Sequence, residues 1–131
     1  MESASFTVRT SSREEIILVT DLVNEAIGET GVESGLCTIF TPHTTAAITI
    51  NENADPDVCS DLVRAFRAMI PDVRFDHGEG NSDAHLLSAI IGPSVPVAVE
   101  RGRLRLGTWQ GIYFVELDGP RSRTVEVHVI S

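Results

Sequence analysis

The chain contains no lysine. Its ten cations are all arginine, set against 19 aspartates and glutamates, for a formal net charge of −9 over 131 residues. A nucleic-acid groove needs a basic stripe that neutralises phosphates; none is visible here, so nucleic acid is not expected as a partner. Cysteine is scarce too: Cys37 and Cys59 are the only two, and without an export signal they are expected as free thiols. Cys37 lies in an apolar run and is expected to be buried; neither cysteine has a local partner that marks it as a nucleophile. No apolar run approaches the ~18 residues of a membrane span. Met1 to Thr10 carries Glu2 and lacks the apolar centre of a secretory signal, which leaves a cytoplasmic location and no membrane partner as the expectation. Internal repeats, low-complexity stretches and linkers are also missing, so residues 1–131 are expected to form a single domain.

Hydrophobic residues make up 42% of the chain, enough for an ordinary globular core. Phe6, Val8 and Thr10 alternate with Thr7 and Arg9, a strand pattern. Ile16 to Val19 is a short apolar strand, followed by helix-starting Thr20 and Asp21 and a helix that Gly28 to Gly31 ends. Gly35 to Phe40 and Ala46 to Ile50 are expected as buried strands. Pro56, just after the possible cap Asp55, opens a helix that Pro71 breaks. Ser82 or Asp83 would cap a short helix through Leu87 and Ile90. Val95 to Val99 is a strand, and Arg101-Gly102 a turn into Leu104 and Leu106. Ile112 to Leu117 and Thr124 to Ile130 are two more strands, joined by the turn signal Asp118-Gly119-Pro120. This mixed order predicts an α+β fold with a largely antiparallel sheet.

Chemistry-bearing residues concentrate between His43 and His85. His43 follows Pro42 at a strand end, His77 sits in a glycine-interrupted loop, and His85 follows in Asn81-Ser82-Asp83-Ala84-His85. Three imidazoles with an open position suit a zinc-type site, although spacings of 34 and 8 residues match no compact motif; structural hydrogen bonding is the other reading. His128 alternates with Val127 and Val129, and a structural role is expected for it. Glu52 either orients a ligating histidine or acts as a general base, or serves turn chemistry with Asn51. The Gly78 to Asn81 loop offers backbone N–H groups to an anion. Arg121 and Arg123 are candidates to grip a phosphate, with a solvated surface as the alternative. Gly107-Thr108-Trp109-Gln110-Gly111 holds the only Trp, either a stacking wall or interface anchor, or a core residue.

Taken in order, several motifs closely resemble the YjbQ family, also called secondary thiamine-phosphate synthase enzymes. They are Pro42-His43-Thr44-Thr45-Ala46-Ala47, Ile50 to Val58, His77 with Glu79-Gly80-Asn81, Asp83-Ala84-His85, Gly107 to Gly111, and Asp118-Gly119-Pro120-Arg121. The resemblance covers essentially the whole chain; Gly78 is its one small departure. It implies a β-sandwich-like core with flanking helices, a homotrimer, and a pocket holding the three motif histidines near subunit boundaries. The matching site positions are His43, Glu52, His77, Asn81, His85 and Arg121. The implied activity is a weak thiamine phosphate synthase, which joins a pyrimidine methyl diphosphate to a thiazole phosphate and releases pyrophosphate.

Three readings of the function follow. The first is that transferase, with Arg121 and the Gly78 to Asn81 loop on phosphate, and His43, His77 and His85 as metal ligands or acid and base. The second is a metal-dependent hydrolase, with Glu52 or Glu79 activating a bound water. The third is a non-catalytic binder of a phosphorylated metabolite. A divalent metal is expected in the first two. Three histidines favour zinc, whereas diphosphate transfer ordinarily uses magnesium on oxygen ligands.

Overall fold

Alternation sets the orientation of the last strand. In β8 (Ser122–Ile130) the residues Arg123, Val125, Val127 and Val129 are buried, while Thr124, Glu126 and His128 between them are only half-buried. The computed structural model describes residues 1–131. It places β8 in a five-stranded sheet with β1 (Glu2–Arg9), β3 (Ser34–Phe40), β5 (Ser94–Glu100) and β6 (Arg103–Leu104), in the order β1-β8-β3-β5-β6. A second sheet has the order β2-β7-β4, built from β2 (Glu15–Leu18), β7 (Gln110–Glu116) and β4 (Ala46–Glu52). Every strand pairing is antiparallel, as the sequence predicts.

The two sheets and α1 (Thr20–Thr30) enclose the main core, where Ile27, Ile39, Ile48, Ile112 and Phe114 are fully buried. Each such side chain contributes roughly 1.5–3 kcal/mol relative to exposure. The short sheet is apolar on both faces. Ala46 and Ile48 join the main core, whereas Ala47 and Val115 join a second cluster with Ala84 and Leu87 of α3 (Ser82–Ile91), flanked by Phe66 of α2 (Pro56–Ala68). That is why Ala46 to Ile48 reads as a continuous apolar run rather than an alternating one.

Helix ends follow their sequence signals in part. Asp55 caps α2 by accepting the Asp57 N–H at 2.9 Å, with Pro56 at the first helical position. Gly31, with φ 73°, closes α1 in the left-handed conformation that a Cβ disfavours. The start of α1 differs. The Thr20 hydroxyl does not cap its own helix; it accepts the Ile112 N–H at 2.9 Å and ties α1 to β7. For α3 the cap position is Asn81, not Ser82 or Asp83. The turn signal at Asp118-Gly119-Pro120 does not close a hairpin: β7 and β8 lie in different sheets, so the chain crosses between sheets there. No helix is long and apolar enough to cross a membrane.

Candidate functional site

Two of the expected histidines meet. His77 comes from the loop between α2 and α3 and His85 from the first turns of α3; their ring centroids lie 5.5 Å apart, edge to face at 84°. They line an open hollow of about 320 Å³ with Ser82. A neighbouring hollow of about 240 Å³ shares His77 and Ser82 and adds Ile70, Phe75, Gly80 and Asp83. Together the two hollows offer Ile70 and Phe75 as apolar lining and imidazole, hydroxyl and the Asp83 carboxylate as polar lining, a composition suited to a small polar ring compound.

Asn81 stands at the root of the same helix. Its Nδ2 donates to Asp118 Oδ2 at 2.9 Å, and its Oδ1 is buried with no hydrogen-bond donor. Asp118 also takes Arg121: Nη2 donates to its Oδ2 at 3.1 Å and Nε to its backbone carbonyl at 2.9 Å. The Arg121 guanidinium remains about half exposed, at 49%, so it is held by one edge with the rest open to a ligand. Arg13 reaches the other side of the α3 start and pairs with Asp83 at 3.1 Å.

His43 lies within electrostatic reach of Arg121 and Arg123. Its Nε2 accepts the Thr124 N–H at 2.9 Å, which leaves the proton on Nδ1. Burial pushes its pKa down, the neighbouring Arg123 and Arg121 charges add to that, and Glu116 opposes it. The resulting imidazole is neutral, with its Nε2 lone pair already engaged.

The Arg123 charge that acts on His43 belongs to a buried ion pair with Glu116. Arg123 is 2% exposed and Glu116 fully buried. Arg123 Nε donates to Glu116 Oε1 at 2.9 Å, and Nη2 donates to Glu116 Oε2 and to the Thr45 hydroxyl and carbonyl. Thr10 donates its hydroxyl to Glu116 Oε1 at 2.7 Å. Burial pushes the Glu116 carboxyl upward, but the hydrogen bonds from Arg123, Thr10 and the Asp118 N–H outweigh it and hold the group below the ordinary carboxylate value. Arg123 is therefore neither a surface residue nor available to phosphate. The signal was present: Arg123 shares the inward register of Val125, Val127 and Val129. The partners Glu116 and Thr45 carried no comparable mark.

Glu52 is placed elsewhere. It ends β4, opposite Gln110, whereas Ala46 at the other end of β4 is opposite Glu116. Six strand steps separate the two ends, about 20 Å. One carboxylate oxygen of Glu52 is buried without a donor, and its backbone carbonyl accepts the Tyr113 hydroxyl at 2.8 Å. Burial, Cys59 and Glu52 together push the Tyr113 hydroxyl up to about 12. Glu79 lies in the exposed loop, 3.9 Å from His77 Nε2, too far for a hydrogen bond.

The expected metal ligands are His43, His77 and His85, of which His77 and His85 are brought together within the chain. No three His, Cys, Asp or Glu side chains converge within reach of one ion in the chain, and His43 has its Nε2 committed to Thr124. His128, as expected, has local partners, lying 2.7 Å from Ser3 Oγ and 2.8 Å from Glu126 Oε1. Trp109 is 64% exposed, so the core reading of that residue fails.

Residues 4–131 match the family model described as UPF0047 protein YjbQ-like. The chain is 51% identical to the UPF0047 protein YugU of Bacillus subtilis over 125 residues, covering 94% of this chain and 95% of that protein. It is 46% identical to a UPF0047 protein of Methanocaldococcus jannaschii over 126 residues, covering 95% and 91%. Among solved structures, a YjbQ/UPF0047 family protein of Clostridium acetobutylicum superposes with a TM-score of 0.91 at 48% identity, covering 97% of this chain and 99% of that one. A hypothetical protein of Aeropyrum pernix K1 superposes with a TM-score of 0.93 at 43% identity, covering 100% and 99%. On sequence and architecture together, the chain belongs to the YjbQ-like UPF0047 family.

Proposed function

We propose that the protein is a transferase acting on small phosphorylated heterocycles at the His77–His85 hollow, in a reaction of the thiamine-phosphate-forming kind. The observation that carries this reading is the edge-to-face histidine pair lining an open hollow, with the Asn81–Asp118–Arg121 chain at the root of the same helix. In that reaction the bond between the pyrimidine methylene carbon and the diphosphate oxygen breaks. Pyrophosphate leaves with the electron pair, and the thiazole nitrogen lone pair forms the new carbon–nitrogen bond. The chemical need is to stabilise charge on the departing pyrophosphate. The half-exposed Arg121 supplies a fixed cation for it. His77 or His85, lining the hollow, donates a proton to it as general acid.

The test is incubation of untagged protein with both substrates and chromatographic detection of thiamine phosphate. We expect product from the wild type. His77→Ala should lower the rate about 10²–10⁴-fold, the usual contribution of a general acid, with an unchanged melting temperature because His77 is exposed. Absence of product, or full activity in His77→Ala, overturns the assignment. Phosphate release from the diphosphate substrate alone would point to hydrolysis instead, and tight binding without turnover to a carrier.

We further propose that the working unit is the homotrimer. Leu18 and Trp109 are 50% and 64% exposed, and α2 is amphipathic yet has no fully buried residue. Such unburied apolar surface supports association of copies. A monomer in sedimentation at micromolar concentration would refute it.

A further inference from the structure

We infer that Glu116 is the positioning residue of the proposed site: through Asp118 it orients Asn81 and Arg121, and through Arg123 it sets strand β8 against His43. This rests on the site assigned above but not on the identity of its substrate. Three chain segments bring polar groups to the region: the His43–Thr45 segment before β4, Asn81 at the start of α3, and the Asp118–Arg121 crossing. Glu116 is connected to all of them. Its Oε2 accepts the Asp118 N–H at 3.1 Å and the Leu117 N–H at 3.0 Å, which fixes the residue whose carboxylate holds both Asn81 and Arg121. Its Oε1 accepts the Thr10 hydroxyl, and Thr10 in turn accepts the Arg121 N–H at 2.9 Å and donates its own N–H to the Arg121 carbonyl at 3.0 Å. Its Arg123 partner reaches the carbonyl and hydroxyl of Thr45, and the next residue, Thr124, donates to His43.

A buried ion pair is weak evidence for stability, because desolvation consumes much of the Coulomb attraction. What it does supply is direction. Arginine presents a planar fork that accepts only a narrow range of partner geometries, and a fully satisfied buried network has few alternative arrangements. Here the fork spans Glu116 at the end of β7 and Thr45 before β4, so the crossing that carries Asp118 and Arg121 is locked in register with the segment that carries His43.

The test uses two variants of the full chain, Glu116→Gln and Arg123→Lys. Glu116→Gln keeps the size and loses the charge. Arg123→Lys keeps the charge and loses the fork, so the Nε bond to Glu116 Oε1 that runs beside the Nη2 contacts is gone. Histidine ¹⁵N spectra read the His43 tautomer, and calorimetry reads the binding of inorganic pyrophosphate. In the wild type we expect the Nδ1–H tautomer. In each variant that folds we expect a mixture of tautomers, unchanged His77 and His85 signals, and pyrophosphate binding weakened at least about tenfold, the loss of roughly one charge-assisted hydrogen bond. Folded variants that keep the wild-type tautomer, with affinity within about twofold on that same scale, overturn the inference. A role confined to stability would lower the melting temperature and leave the tautomer of the folded fraction alone. If the wild type binds no pyrophosphate, the phosphate reading of the site falls, and the His43 tautomer in the two variants still decides the positioning role.

Discussion

Truncating Glu116 to alanine should be among the most damaging single changes in this chain. The carboxylate is fully buried and takes hydrogen bonds from Thr10, Leu117 N, Asp118 N and the Arg123 fork. Removing it leaves a guanidinium that is 2% exposed with only Thr45 as its partner. Breaking a buried pair in this way costs about 3–5 kcal/mol, against a total of roughly 5–15 kcal/mol for a domain of this kind. The melting temperature should fall by about 10–20 °C. Glu116→Gln keeps the volume and one acceptor and should lose less, about 1.5–3 kcal/mol for the charge-assisted bonds. The double variant Glu116→Ala/Arg123→Ala should be less damaged than the sum of its singles, because the stranded charge is gone. The pH dependence has a definite sign. The folded-state pKa of Glu116 lies below the ordinary value, so its contribution is fully present above the unfolded carboxylate pKa and is lost as pH falls through the folded one. The gap between wild type and Glu116→Gln should therefore be widest at neutral pH and narrow below the ordinary carboxylate range. Urea denaturation followed by far-UV circular dichroism is the suitable assay; Trp109 is already exposed and would report unfolding poorly. A loss below about 1 kcal/mol for Glu116→Ala, outside the range for buried pairs, would refute the reasoning. So would a gap that does not change with pH.

Three further outcomes are expected. In an NMR titration His43 should change charge below 6.5, since burial and the arginines lower its pKa, and His43→Ala should cost about 0.5–1.5 kcal/mol by stranding the Thr124 N–H; a midpoint above 6.5 contradicts the geometry. Cys37 is 1% exposed and its thiol is pushed up to about 11 by burial, so a disulfide reagent should modify it only on unfolding, and rapid native labelling would show the strand pair to be open. Gly35→Ala would place a Cβ 2.1 Å from the Ile130 carbonyl oxygen, whereas Gly28→Ala would meet nothing within 4 Å. The first should cost at least about 1–3 kcal/mol by forcing β3 from β8, and the second should gain about 0.5–1 kcal/mol by removing a helical glycine; similar urea midpoints for the two would refute this.

The elements were legible because each carries its own periodicity. The valines of β8, the Asp55-Pro56 start of α2 and the Gly31 end of α1 all speak through neighbours in sequence, and the structure places them within a residue or two of expectation. Arg123 is the instructive failure. Its residue type argued for solvent or phosphate, its register argued for the interior, and register prevailed because a buried carboxylate was waiting seven residues upstream. The crossing misled for a related reason. Asp118-Gly119-Pro120 is a sound turn signal, but a turn reverses the chain without specifying whether the next strand pairs with the last.

That crossing explains why a carboxylate belongs at position 116. Where a chain leaves one sheet for another, its backbone groups lose ladder partners while still buried, and each needs a substitute. Leu117 N–H is shared between the Thr45 carbonyl and Glu116 Oε2, Asp118 N–H goes to the same oxygen, and Gly119 N–H goes to the Arg13 carbonyl. A neutral acceptor at 116 would satisfy these donors but leave Arg123 without its counter-charge, and Arg123 is what reaches across to Thr45. The requirement of the corner and the requirement of the site thus converge on one side chain. It also accounts for what the sequence concealed. His77, Asn81 and His85 lie within nine residues of one another and can be recognised together, but the tie from Asn81 through Asp118 to Arg121 is held by a residue that faces inward and touches none of the histidines' hollow.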